Sequence, residues 1–151
     1  MDINEKEVER GSTALLLASF HGFTEIAEIL VNNGADCNIQ NNEGFTALMM
    51  AKSLAISELL IKKGVDVNFQ KKDGYTALMR ASRYGATEIV EMLIKHGANV
   101  NLRHQRGETA LIWASNKGHK AVVEILLLAG ANIDVQGRDV MMQEMVTIYT
   151  T

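Results

Sequence analysis

A single cysteine stands among the 151 residues, so neither an intrachain disulfide nor a cysteine-based zinc site can be built. Cys37 occupies a slot that Val67, Val100 and Ile133 fill elsewhere in the chain. It therefore reads as a small buried hydrophobe rather than a reactive thiol, and a reducing compartment, the cytoplasm, is the simplest inference. No stretch approaches the roughly 18 uncharged apolar residues needed to cross a membrane, so no membrane insertion is expected. The opening MDINEKEVERG is acidic and polar, unlike a signal peptide or an Arg-rich transit sequence. Neither sign of charge dominates: net charge is -3, with Lys and Glu interspersed. A phosphate-neutralising surface is absent, which argues against a nucleic-acid partner. What the chain does have is 47% apolar residues, enough for one continuous core at this length.

Those residues recur in a fixed order. TALLLAS at Thr13, TALMMAK at Thr46, TALMRAS at Thr76 and TALIWAS at Thr109 are variants of one word. A second word follows each: NNGADCN, KKGVDVN, KHGANVN and LAGANID. Gly11, Gly44, Gly74 and Gly107 precede the threonines at spacings of 33, 30 and 33 residues. Self-similarity at a period near 33 is the signature of a stacked helical array. Each threonine hydroxyl stands where it can cap the orphan N–H groups of a short first helix. A second helix carries apolar residues at helical spacing: Ile26, Leu30 and Val31; Ile89, Leu93 and Ile94; Val122, Leu126 and Leu127. The segment between that helix and the next threonine is polar and reads as a turn or β-hairpin-like finger. Helices this short are marginal alone and must stack on their neighbours, through Leu15, Leu48, Leu78 and Leu111 and the small Ala18, Ala51, Ala81 and Ala114.

Three departures mark the ends and the middle. Asp2-Ile3-Asn4 echoes Asp66-Val67-Asn68, with one extra residue before Gly11, as if the chain opened at a repeat boundary. The second copy is three residues short, and Ser53-Leu54-Ala55-Ile56 is expected to make its inter-helix turn without glycine. After Asp134 the words stop; Val140, Met141, Met145, Ile148 and Tyr149 are placed for one amphipathic terminal helix. The expected domain is single, 1–151, with repeats at about 8–40, 41–70, 71–103 and 104–136 and a degenerate C-terminal cap at 137–151.

The pattern G-x-T-A-L-x-x-A, then an E-I-V-E-x-L helix, then G-A-x-V-N, resembles the ankyrin repeat from about Gly11 to Asp134. There is no proline. Ala14, Ala47, Ala77 and Ala110 replace the one usual in the T-P-L-H motif, at little cost to a helix. Leu16, Met49, Met79 and Ile112 replace the usual histidine, so apolar packing is expected where an inter-repeat hydrogen bond would be. The resemblance implies an all-α solenoid of stacked antiparallel helix pairs with finger loops, used for binding other proteins. It implies a surface on first helices and finger tips: Leu17, Phe20 and His21, then Met50, Ser53 and Leu54, then Arg80, Arg83 and Tyr84, then Trp113, Asn116 and Lys117. The finger positions include Arg10, Ser12, Phe45, Lys72, Asp73, Tyr75, Arg106 and Glu108.

Helical geometry reaches the same face independently, since at 100° per residue Arg80, Arg83 and Tyr84 lie opposite core Leu78 and Ala81. Phe45, Tyr75, Tyr84 and Trp113 are large aromatics at nominally exposed positions, accompanied by Arg80, Arg83 and Arg106. Tyr, Trp and Arg dominate interface hot spots, and a partner segment with acidic and apolar groups would complement them. Removing the Tyr84 and Trp113 rings is expected to leave the helices intact. For chemistry there is no foundation: His21, His96, His104 and His119 have no ligand or triad partner at useful spacing, and the serines of the repeated word lack a nucleophile elbow. The expectation is a monomeric, non-catalytic interaction scaffold without cofactor or metal. The alternatives are a structural spacer of a larger protein and a host-directed effector.

Overall fold

In the computed structural model the described residues are 1–133. They form eight helices and no strand, in two compact units. The first unit, Met1–Val67, holds α1 (Ala14–His21), α2 (Thr24–Asn32), α3 (Ala47–Met50) and α4 (Leu54–Lys62). The second begins at Asn68 and holds α5 (Ala77–Arg83), α6 (Thr87–Lys95), α7 (Ala110–Lys117) and α8 (Lys120–Leu128). The expected terminal cap at 137–151 lies outside the described residues.

The recurring threonine does what its position demands. Thr13, Thr46, Thr76 and Thr109 sit in extended backbone, and each Oγ1 accepts the N–H three residues on, at 3.1–3.4 Å. In the first unit α1 packs on α2 and α3, and α2 and α3 pack on α4. In the second, α5 packs on α6 and α7, and α6 and α7 pack on α8. Leu15, Leu48, Leu78 and Leu111 are buried in these contacts, as are Ala18, Ala81 and Ala114. Leu16, Met49 and Met79, at the family's histidine position, are buried too. Apolar packing has taken that place, except at half-buried Ile112.

The three missing residues shorten a helix rather than a turn. α3 has four residues where α1, α5 and α7 have seven or eight, and α4 keeps nine. Ala51–Ser53 make the link; Leu54 and Ile56 belong to α4. Ala51, expected in the core, is only half-buried because it adopts extended backbone just beyond α3. Ser53 compensates: its Oγ caps α4 by accepting from Ile56 N at 3.3 Å and lies 3.0 Å from the Thr24 hydroxyl. No side chain caps α2, α6 or α8.

Each finger is a tight turn closed by two main-chain bonds, not a strand pair. Asn41 N donates to Phe45 O, Lys71 N to Tyr75 O and His104 N to Glu108 O, and the glycine before the last residue donates back to the first. The first finger runs Glu7 to Ser12 and absorbs the extra residue noted before Gly11; the Glu7 carboxylate accepts from the N–H groups of Glu9, Arg10 and Ser12. Adjacent fingers share one main-chain bond, Asn42 N to Arg10 O in the first unit and Gln105 N to Asp73 O in the second. Gly74 is required at the latter joint. Its φ is +91°, and a Cβ there would lie 2.6 Å from the Arg103 carbonyl oxygen.

Asparagine side chains tie three of the loops to the next. Asn68 Oδ1 accepts from Asn99 N at 2.6 Å while its Nδ2 donates to Gly97 O at 3.0 Å. Asn101 repeats this with Asn132 N at 2.7 Å and Gly130 O at 3.3 Å. Asn4 Oδ1 accepts from Asp36 N at 2.8 Å, which gives the echo of Asp66-Val67-Asn68 a structural meaning. Cys37, within the loop that follows α2, is half-buried, and burial raises its thiol pKa, which suppresses the thiolate.

Candidate functional site

The second unit gathers most of the expected surface. One turn of α5 places Arg80, Arg83 and Tyr84 at positions i, i+3 and i+4, so they share a face. The Arg80 guanidinium stacks 5.0 Å from the Tyr84 ring centre. The Arg83 guanidinium lies 5.8 Å from Tyr84 and 5.1 Å from Trp113, which α7 brings alongside. A cation held against two rings is ordered before any ligand arrives. No carboxylate pairs with Arg83 among the described residues.

The aromatics are not equally exposed. Tyr84 is 60% exposed, but Tyr75 is 7% exposed, so the expectation that Tyr75 is a surface ring is wrong. As the last residue of its finger, Tyr75 turns inward. It packs edge-on against Trp113 at 6.0 Å and against His104 at 6.5 Å. Burial raises its hydroxyl pKa above the ordinary phenol value, with the positive Arg80 and Arg83 pulling back only in part. Trp113 is half-buried, and its indole Nε1 is buried without a hydrogen-bond partner among the described residues. Both rings thus join core to surface. Lys72, Asn116 and Lys117 are exposed as expected. Ser12, expected at a finger tip, is buried. Phe45 belongs to the first unit, where its finger half-buries it and its N–H donates to Asn41 Oδ1 at 3.0 Å.

The finger residues form an ionic chain around a histidine that sequence reasoning passed over. His104 is buried, with Nε2 3.6 Å from Asp73 Oδ2 and Nδ1 3.7 Å from Glu108 Oε2. Lys71 lies 3.2 Å from Asp73, and Arg106 lies 3.5 Å from Glu108. His104 Nδ1 also accepts the Arg106 N–H at 3.2 Å, which places the proton of a neutral ring on Nε2, facing Asp73. Burial alone would raise the Asp73 pKa. The Tyr75 N–H, Lys71 and His104 together outweigh it, and the carboxyl sits below its ordinary range. The available signal was positional: His104 stands where Asn41 and Lys71 stand in their fingers, and Asn41 also uses its side chain to accept turn N–H groups.

His119 acts structurally. Its Nε2 meets the Arg83 carbonyl oxygen at 2.9 Å, and since a carbonyl only accepts, Nε2 carries the proton. The ring fills the space over Gly85, where φ is +68° and a Cβ would lie 2.6 Å from Nδ1. It thereby satisfies one of the end carbonyls of α5 and sets the direction of the Arg83 segment. Among the described residues no group of three His, Cys, Asp or Glu is placed to hold a metal. No helix among them is long and apolar enough to cross a membrane.

Comparison with known proteins agrees with this architecture. A family model described as ankyrin repeats in three copies matches residues 1–69 and again 51–137. Among curated proteins, the chain is similar to the ankyrin repeat and SAM domain-containing protein 6 of Rattus norvegicus, at 41% identity over 46 residues. That stretch is 30% of this chain and 5% of the rat protein, so the likeness spans a small part of a much longer relative.

Proposed function

The chain belongs to the ankyrin-repeat family, and on that premise we propose that it is a non-catalytic scaffold that binds a partner protein through the exposed side of α5 and α7. Ankyrin repeats are in general protein-interaction modules, and proteins of the family are typically not enzymes. The observation that carries the finer reading is Arg83, held between the Tyr84 and Trp113 rings on an exposed helix face. Ordered guanidinium and aromatic groups lose little freedom on binding, which is what makes such residues hot spots. Arg80, Arg83 and Tyr84 contact the partner directly, Asn116 and Lys117 extend the contact along α7, and Lys72, Asp73, Arg106 and Glu108 frame it from the fingers. Trp113 serves from its exposed edge, Tyr75 supports it from below, and Phe45 is a separate contact on its own finger. The partner segment carries acidic and apolar groups. In this reading the protein works as a monomer in the cytoplasm, with Cys37 reduced.

The test is affinity capture from native extract, comparing the wild type with the Arg83→Glu, Tyr84→Ala variant by quantitative mass spectrometry. Tyr84 is mostly exposed and Arg83 half-buried between the rings, so the variant's fold is checked by circular dichroism and urea unfolding before capture. A protein enriched only by the wild type supports the face. If a folded variant captures the same set, the face is not the site and a spacer role becomes the better reading.

A further inference from the structure

His104 is a titratable group at a position where a sister finger uses one that cannot titrate. It is 8% exposed and opens the finger that runs to Glu108. Asn41 opens its own finger, and its Oδ1 accepts the N–H groups of Glu43 and Phe45, each at 3.0 Å. His104 makes the first of these bonds with a ring nitrogen: Nδ1 accepts from Arg106 N at 3.2 Å. An amide oxygen accepts at any pH between about 5 and 8. An imidazole nitrogen accepts only until a proton takes its lone pair.

Charged groups face the ring from both fingers. Asp73 Oδ2 lies 3.6 Å from Nε2, and Glu108 Oε2 lies 3.7 Å from Nδ1, one carboxylate at each end. Both cations stand behind them, Lys71 at 3.2 Å from Asp73 and Arg106 at 3.5 Å from Glu108. Tyr75 meets the ring edge-on and is uncharged in this range. Glu108 Oε2 is buried and accepts no hydrogen bond among the described residues, although the Arg106 guanidinium stands at ion-pair distance. An open buried acceptor thus faces a nitrogen that, in the neutral ring, has no proton to give.

We propose that the finger from His104 to Glu108 is a proton-operated switch. With one ring proton, Nδ1 holds the Arg106 N–H and Glu108 Oε2 goes without a donor. With two, Nδ1–H and the Arg106 N–H face each other donor to donor, so that bond opens and Nδ1–H turns to Glu108 Oε2. The proton comes from water, and the only covalent bond formed is N–H. The bonds from His104 N to Glu108 O and from Gly107 N to His104 O do not involve the ring and remain. The change is therefore confined to the tip, where Arg106 loses its N–H bond and part of its claim on the Glu108 carboxylate. Space beside Gly107 is open among the described residues, so the tip has room to move. On the reading of the α5 and α7 face given above, Arg106 and Glu108 frame the contact, and acidification resets that frame; the switch itself does not depend on that reading.

The test is an NMR titration of the full chain, with no partner present, between about pH 8 and about pH 5. Ring-nitrogen signals count the protons on His104. Amide exchange, corrected for its intrinsic dependence on pH, reads the Arg106 hydrogen bond. As the ring gains its second proton, protection of the Arg106 amide should fall about tenfold, while that of the His104 and Gly107 amides holds. His104→Asn keeps an acceptor and removes the proton, so protection at Arg106 should then be the same at both ends of the range. Unchanged protection while the wild-type ring titrates, or an equal fall in His104→Asn, overturns the proposal. So does a wild-type ring that keeps a single proton throughout, a result that needs no variant to fold. Because no partner takes part, each of these outcomes is separate from success or failure of the capture experiment on the α5 and α7 face.

Discussion

Trp113→Ala is the substitution whose outcome the structure fixes most tightly. Full burial of a tryptophan would put its loss at about 3–5 kcal/mol, and half-burial roughly halves that. The edge-on contact with Tyr75 adds about 0.5–1.5 kcal/mol and the Arg83 stack about 0.5–1 kcal/mol, with some overlap in area. Against this, the substitution removes a buried indole N–H that has no partner among the described residues, relieving about 1–3 kcal/mol. The expected net loss is about 1–3 kcal/mol. Trp113→Phe keeps a ring over Tyr75 and discards the orphan donor, so it should stay within about 1 kcal/mol of the wild type. Tyr84→Ala, at a mostly exposed ring, should cost less than about 1 kcal/mol. Urea unfolding is followed by far-UV circular dichroism, because Trp113 is the sole tryptophan and its fluorescence vanishes with it. Equal losses from Trp113→Ala and Tyr84→Ala would refute the division of the rings into support and contact. So would a silent Trp113→Ala.

Leu111→Ala, at a side chain buried against α8 and α5, should cost about 2–5 kcal/mol by thermal or urea unfolding. Asn101→Ala deletes one donor and one acceptor bond between successive loops and should cost about 1–3 kcal/mol; Asn101→Asp keeps only the acceptor and should restore only part of the loss. Asp73 has a folded pKa below its unfolded value, so its contribution is present above about pH 3.9 and is lost as pH falls through the lower folded value. Asp73→Asn should therefore flatten the acid limb of a stability-versus-pH curve. Tyr75 has the opposite sign: its folded pKa is raised, so its contribution holds below about pH 10 and is lost as pH climbs through the higher folded value. Tyr75→Phe should remove that alkaline limb, as followed by Tm against pH.

The helices were legible because the signals for them are local. A threonine hydroxyl reaches only three residues forward, and apolar spacing at 3.6 residues needs one helix to express it. The Arg80, Arg83, Tyr84 face was legible for the same reason. Tyr75 was not, since its direction depends on where the finger turn closes and on a Trp113 ring thirty-eight positions away in sequence. His104 was missed because Asp73 faces it from a different finger; its own i+4 neighbour Glu108 is visible in the chain but says nothing without that second carboxylate. The short copy was located correctly but its effect was misplaced. Sequence alignment puts the gap in the turn, whereas the capping Ser53 holds α4 at full length and lets α3 end early.

The asparagine ties have a bearing on how such a chain can change length. Asn68 and Asn101 each reach one loop forward, to backbone atoms 29 and 31 positions on. A segment that begins and ends at an asparagine bonded as Asn68 and Asn101 are presents the same acceptor and donor to its successor as the segment it follows. Whole copies can therefore be spliced in or out at a tie without designing a new joint, provided the end faces remain covered. Loss of one or two residues inside the loop would instead leave an asparagine reaching for groups out of register. The joint behaves as a coupling of standard gauge: indifferent to what each length carries, and strict about where it begins.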